Sequence, residues 1–234
     1  MKIELKALGV SKSFKNKNVL NKVDFSAANG SLYCVLGLNG QGKSTFFKIL
    51  SGQLLPDNGQ ISVIQGNKIY SNQLELKEKT AFVPEIPFLN NNLTVLEILS
   101  EECKMFCPDR ISETIAKSCS LFGIFDVLNS KAITLSKGFK QRISLAKAYC
   151  RQPVVYILDE VTSGLDANLQ IQIFKSIKEI SKESVVIFST HHTEEAQNYG
   201  NYVYICRHGK IISSSVEEFK SFLSEDNLTT EESQ

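Results

Sequence analysis

The stretch Gly37-Leu38-Asn39-Gly40-Gln41-Gly42-Lys43-Ser44 fits the pattern G-x-x-x-x-G-K-[ST] with no mismatch. Its flanks agree with it. The run Ser31-Leu-Tyr-Cys-Val-Leu36 reads as a buried strand directly before it, and Ser44-Thr-Phe-Phe-Lys-Ile-Leu50 as a helix directly after. Glycines let backbone N–H groups converge on phosphate oxygens, and the helix N-terminus adds partial positive charge. Lys43 is placed to reach the β- and γ-phosphates, and Ser44 to hold Mg²⁺.

Outward from this loop, short apolar runs alternate with segments of helical period. Strands are expected over 3–8, 23–27, 31–36, 61–64, 80–83, 154–158, 185–189 and 202–206. Helices are expected over 43–52, 95–105, 112–121, 140–150, 168–180 and 216–223. Strands alternating with helices predict a mainly parallel, layered α/β sheet. The pattern changes between Pro84 and Cys150, where helix signals dominate, so residues 84–152 are expected as a helical subdomain inserted between core segments 1–83 and 153–223. The polar, acidic residues 224–234 are expected to be a frayed tail.

A second acidic element lies at Val154-Val-Tyr-Ile-Leu158-Asp159-Glu160, an apolar strand ending in two carboxylates. A parallel strand delivers its carboxyl-end residues to the crevice where ligands bind. Asp159 is thus a candidate Mg²⁺ ligand, and Glu160 a candidate base for an attacking water.

Composition narrows the partners. With 26 Lys plus Arg against 25 Asp plus Glu, the charge of +1 excludes a large electrostatic nucleic-acid footprint, so no nucleic acid is expected. No apolar run approaches the roughly 18–20 residues that cross a bilayer. Glu4 and Lys6 interrupt the region where a signal peptide needs an apolar core, so a cytoplasmic protein with reduced thiols is expected despite six cysteines. Cys103 and Cys107 share a helix face, but a metal site there lacks further ligands at suitable spacing. Asn21-Lys-Val-Asp24 matches the guanine-recognition pattern N-K-x-D, yet it precedes the phosphate loop rather than following it, which argues against a GTPase. A small-molecule kinase would leave the segments at 135–139 and 163–166 unexplained.

Those segments carry a resemblance. Leu135-Ser-Lys-Gly-Phe139, followed by KQRISLAKAYCRQP and then the acidic strand, is similar to the signature segment of the ATP-binding subunits of ABC transporters. Ser163-Gly-Leu-Asp166 looks like that family's D-loop, and Phe188-Ser-Thr-His191 like its switch histidine at a strand end. The resemblance covers about residues 3–223. It implies a P-loop NTPase core, RecA-like, its mainly parallel sheet joined by an antiparallel β portion and an inserted α-helical subdomain. It implies ATP and Mg²⁺, with Gly37, Asn39, Gly40, Gly42, Lys43, Ser44 and Thr45 around the phosphates and Phe14 stacked on adenine. Ser44, Glu85 and Asp159 would hold the metal, Glu85 standing in place of the usual glutamine. Glu160 would be the base and His191 would contact the γ-phosphate. Ser136 and Gly138, which also cap and abut their own helix, would bind the γ-phosphate held by a second ATP-binding subunit, and Asp166 would link the two sites.

The implied partners are that second subunit, identical or not, and transmembrane permease subunits that hold the chain on the inner face of the membrane. Pro84–Leu93, with Ile86, Phe88 and Leu89, offers apolar residues where the family's core meets such a partner, and the alternative for these side chains is the core itself. Lys137 and Phe139 replace the usual glycine and glutamine of the signature, and Val161 a common proline; with Glu85 they look like the branch that serves separate exporter-type permeases. A non-transport ATPase of the same family, driving assembly or remodelling of a macromolecular partner, is the alternative.

Overall fold

The computed structural model describes residues 1–15, 17–215, 217–219 and 221. Along the described chain the elements run β1 (Ile3–Phe14), β2 (Lys17–Ala28), β3 (Leu32–Leu36), α1 (Lys43–Leu50), β4 (Asn58–Gln65), β5 (Lys68–Tyr70), α2 (Gln73–Lys79), β6 (Thr80–Val83), α3 (Val95–Phe106), α4 (Ile111–Phe122), α5 (Lys137–Cys150), β7 (Val155–Leu158), α6 (Ala167–Ser181), β8 (Val185–Thr190), α7 (Thr193–Tyr199), β9 (Tyr202–Arg207) and β10 (Lys210–Ser213). The strands form two sheets. One is antiparallel, in the order β2-β1-β4-β5; the other runs β10-β9-β3-β8-β7-β6 and is parallel except for β10.

The parallel sheet is buried on both faces, as its near-continuous apolar strands require. Side chains alternate. Leu32, Cys34 and Leu36 of β3, Tyr156 and Leu158 of β7, and Val186 and Phe188 of β8 point to one face, where Val95, Leu99, Ile143, Phe174 and Ile177 from the helices cover them. Tyr33 and Val35, Val155 and Ile157, and Val185 and Ile187 point the other way, onto Phe46 and Phe47 of α1 and onto Leu5, Phe25 and Val63 of the antiparallel sheet. Between β6 and β7 the described chain holds α3, α4, α5 and short 3₁₀ turns, and their apolar sides share one cluster with the sheet.

The expected strands and helices form, several of them longer. β1 and β2 run to 12 residues each, with shifts of register after Ala7. The short β5, β10, α2 and α7 carry too few periodic residues to be legible in the sequence; each is completed by a neighbour or a cap, such as the Asn72–Glu75 capping box of α2. Asn21–Asp24 lies within β2, where Asp24 Oδ1 accepts the Gly9 N–H at 2.7 Å, a structural role. Of the expected helix 216–223, residues 217–219 and 221 are helical and the rest lies outside the described residues, as does the expected tail 224–234. The six cysteines are buried free thiols. Burial pushes Cys150 and Cys206 up to about 11, which keeps them protonated. Among the described residues no three His, Cys, Asp or Glu side chains converge as a metal cluster, and no helix is long and apolar enough to cross a membrane.

Candidate active site

The carboxyl ends of β3, β7 and β8 lie side by side in parallel register, and the side chains of interest leave from them. β3 runs out at Leu36, and Gly37 donates its N–H to the Thr190 carbonyl of β8 at 3.2 Å. A side chain at Gly37 would put its Cβ 2.6 Å from the Cys206 carbonyl oxygen, so the close approach of the loop to β9 needs glycine. Gly40 and Gly42 have φ of 78° and 107°, the left-handed region, which turns the chain back into α1.

Helix α1 begins without a side-chain cap and without an acidic residue in its first turn. By contrast α2, α3, α5 and α6 each start on a side chain that accepts a backbone N–H: Asn72, Thr94, Ser136 and Asp166. The N–H groups at the head of α1 thus have no protein side chain as acceptor, and the positive end of the helix dipole faces the loop. That arrangement suits an oxyanion, and phosphate above all.

Lys43, only 4% exposed, arches back over this loop. Its Nζ donates to the carbonyls of Gly37 at 2.7 Å and Leu38 at 3.2 Å, and pairs with Glu160 Oε1 at 3.0 Å. Glu160 Oε2 lies 2.9 Å from His191 Nδ1. Burial pushes the Glu160 carboxyl up, but the hydrogen bond and charge of Lys43, then those of His191, outweigh it and hold its pKa below the usual carboxylate range. Glu160 sits at φ 46°, unusual for a residue with a side chain. Its N–H donates to Ser189 Oγ at 3.0 Å, while Ser189 Oγ–H donates to Asp159 Oδ1 at 2.6 Å. One serine on the middle strand therefore sets both neighbouring acids. Asp159 also donates its N–H to the Val83 carbonyl of β6 at 2.8 Å, and Glu85 follows two residues later, exposed on the bend beyond that strand.

Lys43, Asp159, Glu160 and His191, with the loop at Gly37, thus come together in one hydrogen-bonded group. The other expected site residues make their contacts elsewhere. Phe14 is 47% exposed at the end of β1, its ring 5.6 Å from Lys12 Nζ. Ser136 is exposed and caps α5 through the Phe139 N–H at 3.4 Å, and the buried Gly138 abuts Leu169. Asp166 caps α6 through the Leu169 N–H at 3.0 Å. Asn39, Gly40 and Ser44 are exposed, and Thr45 half-buried, at the turn into α1.

Sequence reading missed Ser189, and also the pair Thr190 and Glu195. Thr190 Oγ–H donates to buried Glu195 Oε2 at 2.7 Å and accepts the His192 N–H at 3.0 Å, which fixes the turn carrying His191. Neither hydroxyl carries a sequence pattern of its own; the register of β8 against β7 gives Ser189 its role.

Comparison with known proteins shows the family. The family described as ABC transporter matches residues 20–163, more than half of the chain. The chain belongs to the ABC transporter family. Within it, this chain is an ATP-binding, ATP-hydrolysing component. It is similar to "Nod factor export ATP-binding protein I" of Rhizobium sp. (strain N33), 30% identical over 212 residues that cover 89% of this chain and 69% of that protein. The protein of the same description from Bradyrhizobium diazoefficiens is 31% identical over 193 residues, 81% of this chain and 63% of that one. The solved structure described as an ATP binding subunit of an ABC transporter superposes with a TM-score of 0.80 at 26% identity, covering 98% of this chain and 99% of that one. The antiparallel sheet beside the parallel one is the ABC ATPase fold.

Proposed function

We propose that this chain powers export by a separate membrane permease, acting as a dimer whose closure on ATP completes each hydrolytic site. The observation that carries the reading is the uncapped, glycine-built head of α1 with Lys43 arched over it and the Asp159–Glu160 pair at its side. The export direction is supported by the similarity to Nod factor export proteins.

The phosphates of ATP seat on the N–H groups of the 37–45 loop and draw the Lys43 ammonium onto the β- and γ-oxygens. This exchange releases Glu160 Oε1 from its ion pair. The freed carboxylate then accepts the proton of the water whose oxygen bonds to the γ-phosphorus as the bond from that phosphorus to the β–γ bridging oxygen breaks and ADP leaves, while His191, held through Nδ1, is the γ-phosphate contact. The donor set fits Mg²⁺: one carboxylate aimed by Ser189 and one exposed hydroxyl at Ser44, hard oxygen donors that leave the remaining positions to phosphate and water. The ion would neutralise charge on the phosphates, held by Ser44 and Asp159 with Glu85 beyond. Phe14 offers an exposed ring for adenine. Ser136 and Gly138, at the exposed head of α5, would complete the partner subunit's site, with Asp166 beside them at the head of α6. We take residues 84–152 as the helical subdomain.

The permease side rests on the segment after β6. Ile86 is 79% and Phe88 87% exposed, while Leu89 packs on the core. Two large apolar side chains left in water on one bend, lining a cleft with Lys137 and Lys140, suit an apolar partner with an acidic or polar rim.

The test is calorimetry on Lys43→Ala. Loss of the ammonium is expected to weaken ATP binding by about tenfold or more; unchanged affinity would sink the assignment of the site.

A further inference from the structure

We infer that Lys137, which follows the cap Ser136 at the first position of α5, is a positioning residue for hydrolysis within its own subunit: it ties the head of α5 to the turn that carries Glu160. The inference rests on the ATPase reading above.

Two hydrogen bonds make the link. The Lys137 Nζ donates to the Ser163 carbonyl at 2.6 Å, across 26 residues of sequence. Ser163 in turn donates its N–H to the Glu160 carbonyl at 3.0 Å, closing the turn that follows the catalytic candidate. The next residue, Gly164, has φ 67°, the left-handed region that favours glycine, and lies beside the Lys137 Nζ. Gly138 packs the same surfaces together from the other side: a Cβ at Gly138 would meet Leu169 Cδ2 at 2.3 Å and Leu165 Cδ2 at 3.9 Å.

The arrangement has a physical reason. Glu160 sits at φ 46° and so needs its surroundings to hold it. Ser189 anchors its N–H on one side. On the other side Val161 and Thr162 are buried, Gln170 Nε2 donates to the Thr162 carbonyl at 3.4 Å, and the half-buried Ser163 that closes the turn takes the bond from Lys137. A lysine at the first position of a helix opposes the helix dipole, a cost that the charge-assisted bond to Ser163 offsets. Ser136 precedes Lys137 and caps the same helix, so the head of α5 and the turn after Glu160 are joined by this one bond.

The experiment compares Lys137→Met, which removes the donor, with Lys137→Arg, which keeps one, in the full purified chain. Steady-state ATP turnover gives kcat and KM, and calorimetry gives ATP affinity. Because Lys137 is exposed, both variants are expected to fold, checked by thermal melting. The methionine variant is expected to lose about tenfold in kcat with ATP affinity unchanged, and the arginine variant to recover most of the loss. Turnover of the methionine variant within about twofold of the wild type, an arginine variant as slow as the methionine one, or a loss of ATP affinity that accounts for the whole effect would overturn the role. A wild-type chain that hydrolyses no ATP would overturn this role and the functional reading together, and is read before either variant.

Discussion

Glu160 holds both of its oxygens in ion-pair geometry, one on Lys43 and one on His191. Its folded pKa lies below the unfolded value, so the stabilisation it supplies is complete above about pH 4.3 and is lost as pH falls through the folded value. Thermal melts from pH 7 downward are expected to show Glu160→Gln losing less stability in acid than the wild type, because the glutamine has no proton to gain. The same substitution removes the proposed base: turnover is expected to fall by about a hundredfold or more while ATP stays bound, measured by single-turnover hydrolysis and nucleotide retention. Ser189→Ala offers a finer probe. It leaves Glu160 N–H and Asp159 Oδ1 without their shared partner, so a loss of about 1–3 kcal/mol in stability is expected from denaturant titration. The pattern G-x-x-x-x-G-K-[ST] made Lys43 and Ser44 candidates from sequence, because spacing alone picks them out. Ser189 was not readable, since a serine in a strand carries no pattern, and only the register of β7 against β8 brings it under Asp159 and Glu160.

Elements are bound to one another here by close backbone approaches. The end of β3 meets β9 at Gly37, where any side chain would collide with a main-chain oxygen at 2.6 Å. Gly37→Ala is therefore expected to cost about 1–3 kcal/mol in denaturant unfolding and to weaken ATP binding with it, since the displaced backbone is the one that Lys43 clasps. Strand alternation also shows how far sequence reaches. Continuous apolar runs at β3, β7 and β8 announced strands buried on both faces, and they are. The short α7 was not announced: seven residues with Glu195 and Ala196 as its buried side chains make too little periodicity, and the helix stands because Glu195 bonds back to Thr190.

At the scale of the whole molecule, the ABC ATPase fold leaves two features turned outward. The heads of α5 and α6, with Ser136 and Asp166, face solvent rather than their own Lys43, which is what a site shared between two subunits requires. Replacing Ile86 and Phe88 together by serine is expected to leave ATP turnover of the isolated chain within about twofold while abolishing co-purification with a membrane partner; retained co-purification would place the docking surface elsewhere. Whether those two side chains belonged to the core or to a surface was open from the sequence, because an apolar residue on a bend reads the same in either place. Packing decided it: Leu89 found room in the core and its neighbours did not.

By itself the sequence determined the phosphate loop, the acidic strand end, the layered α/β class and the family, since each depends on residue type at fixed spacing along the chain. Only the tertiary structure decided which groups meet: Lys43 with Glu160, His191 with Glu160, Ser189 with both acids, and Lys137 with Ser163. Those pairs are separated by 26 to 117 residues of chain. Their distances are set by strand register and helix packing, which a local pattern does not encode.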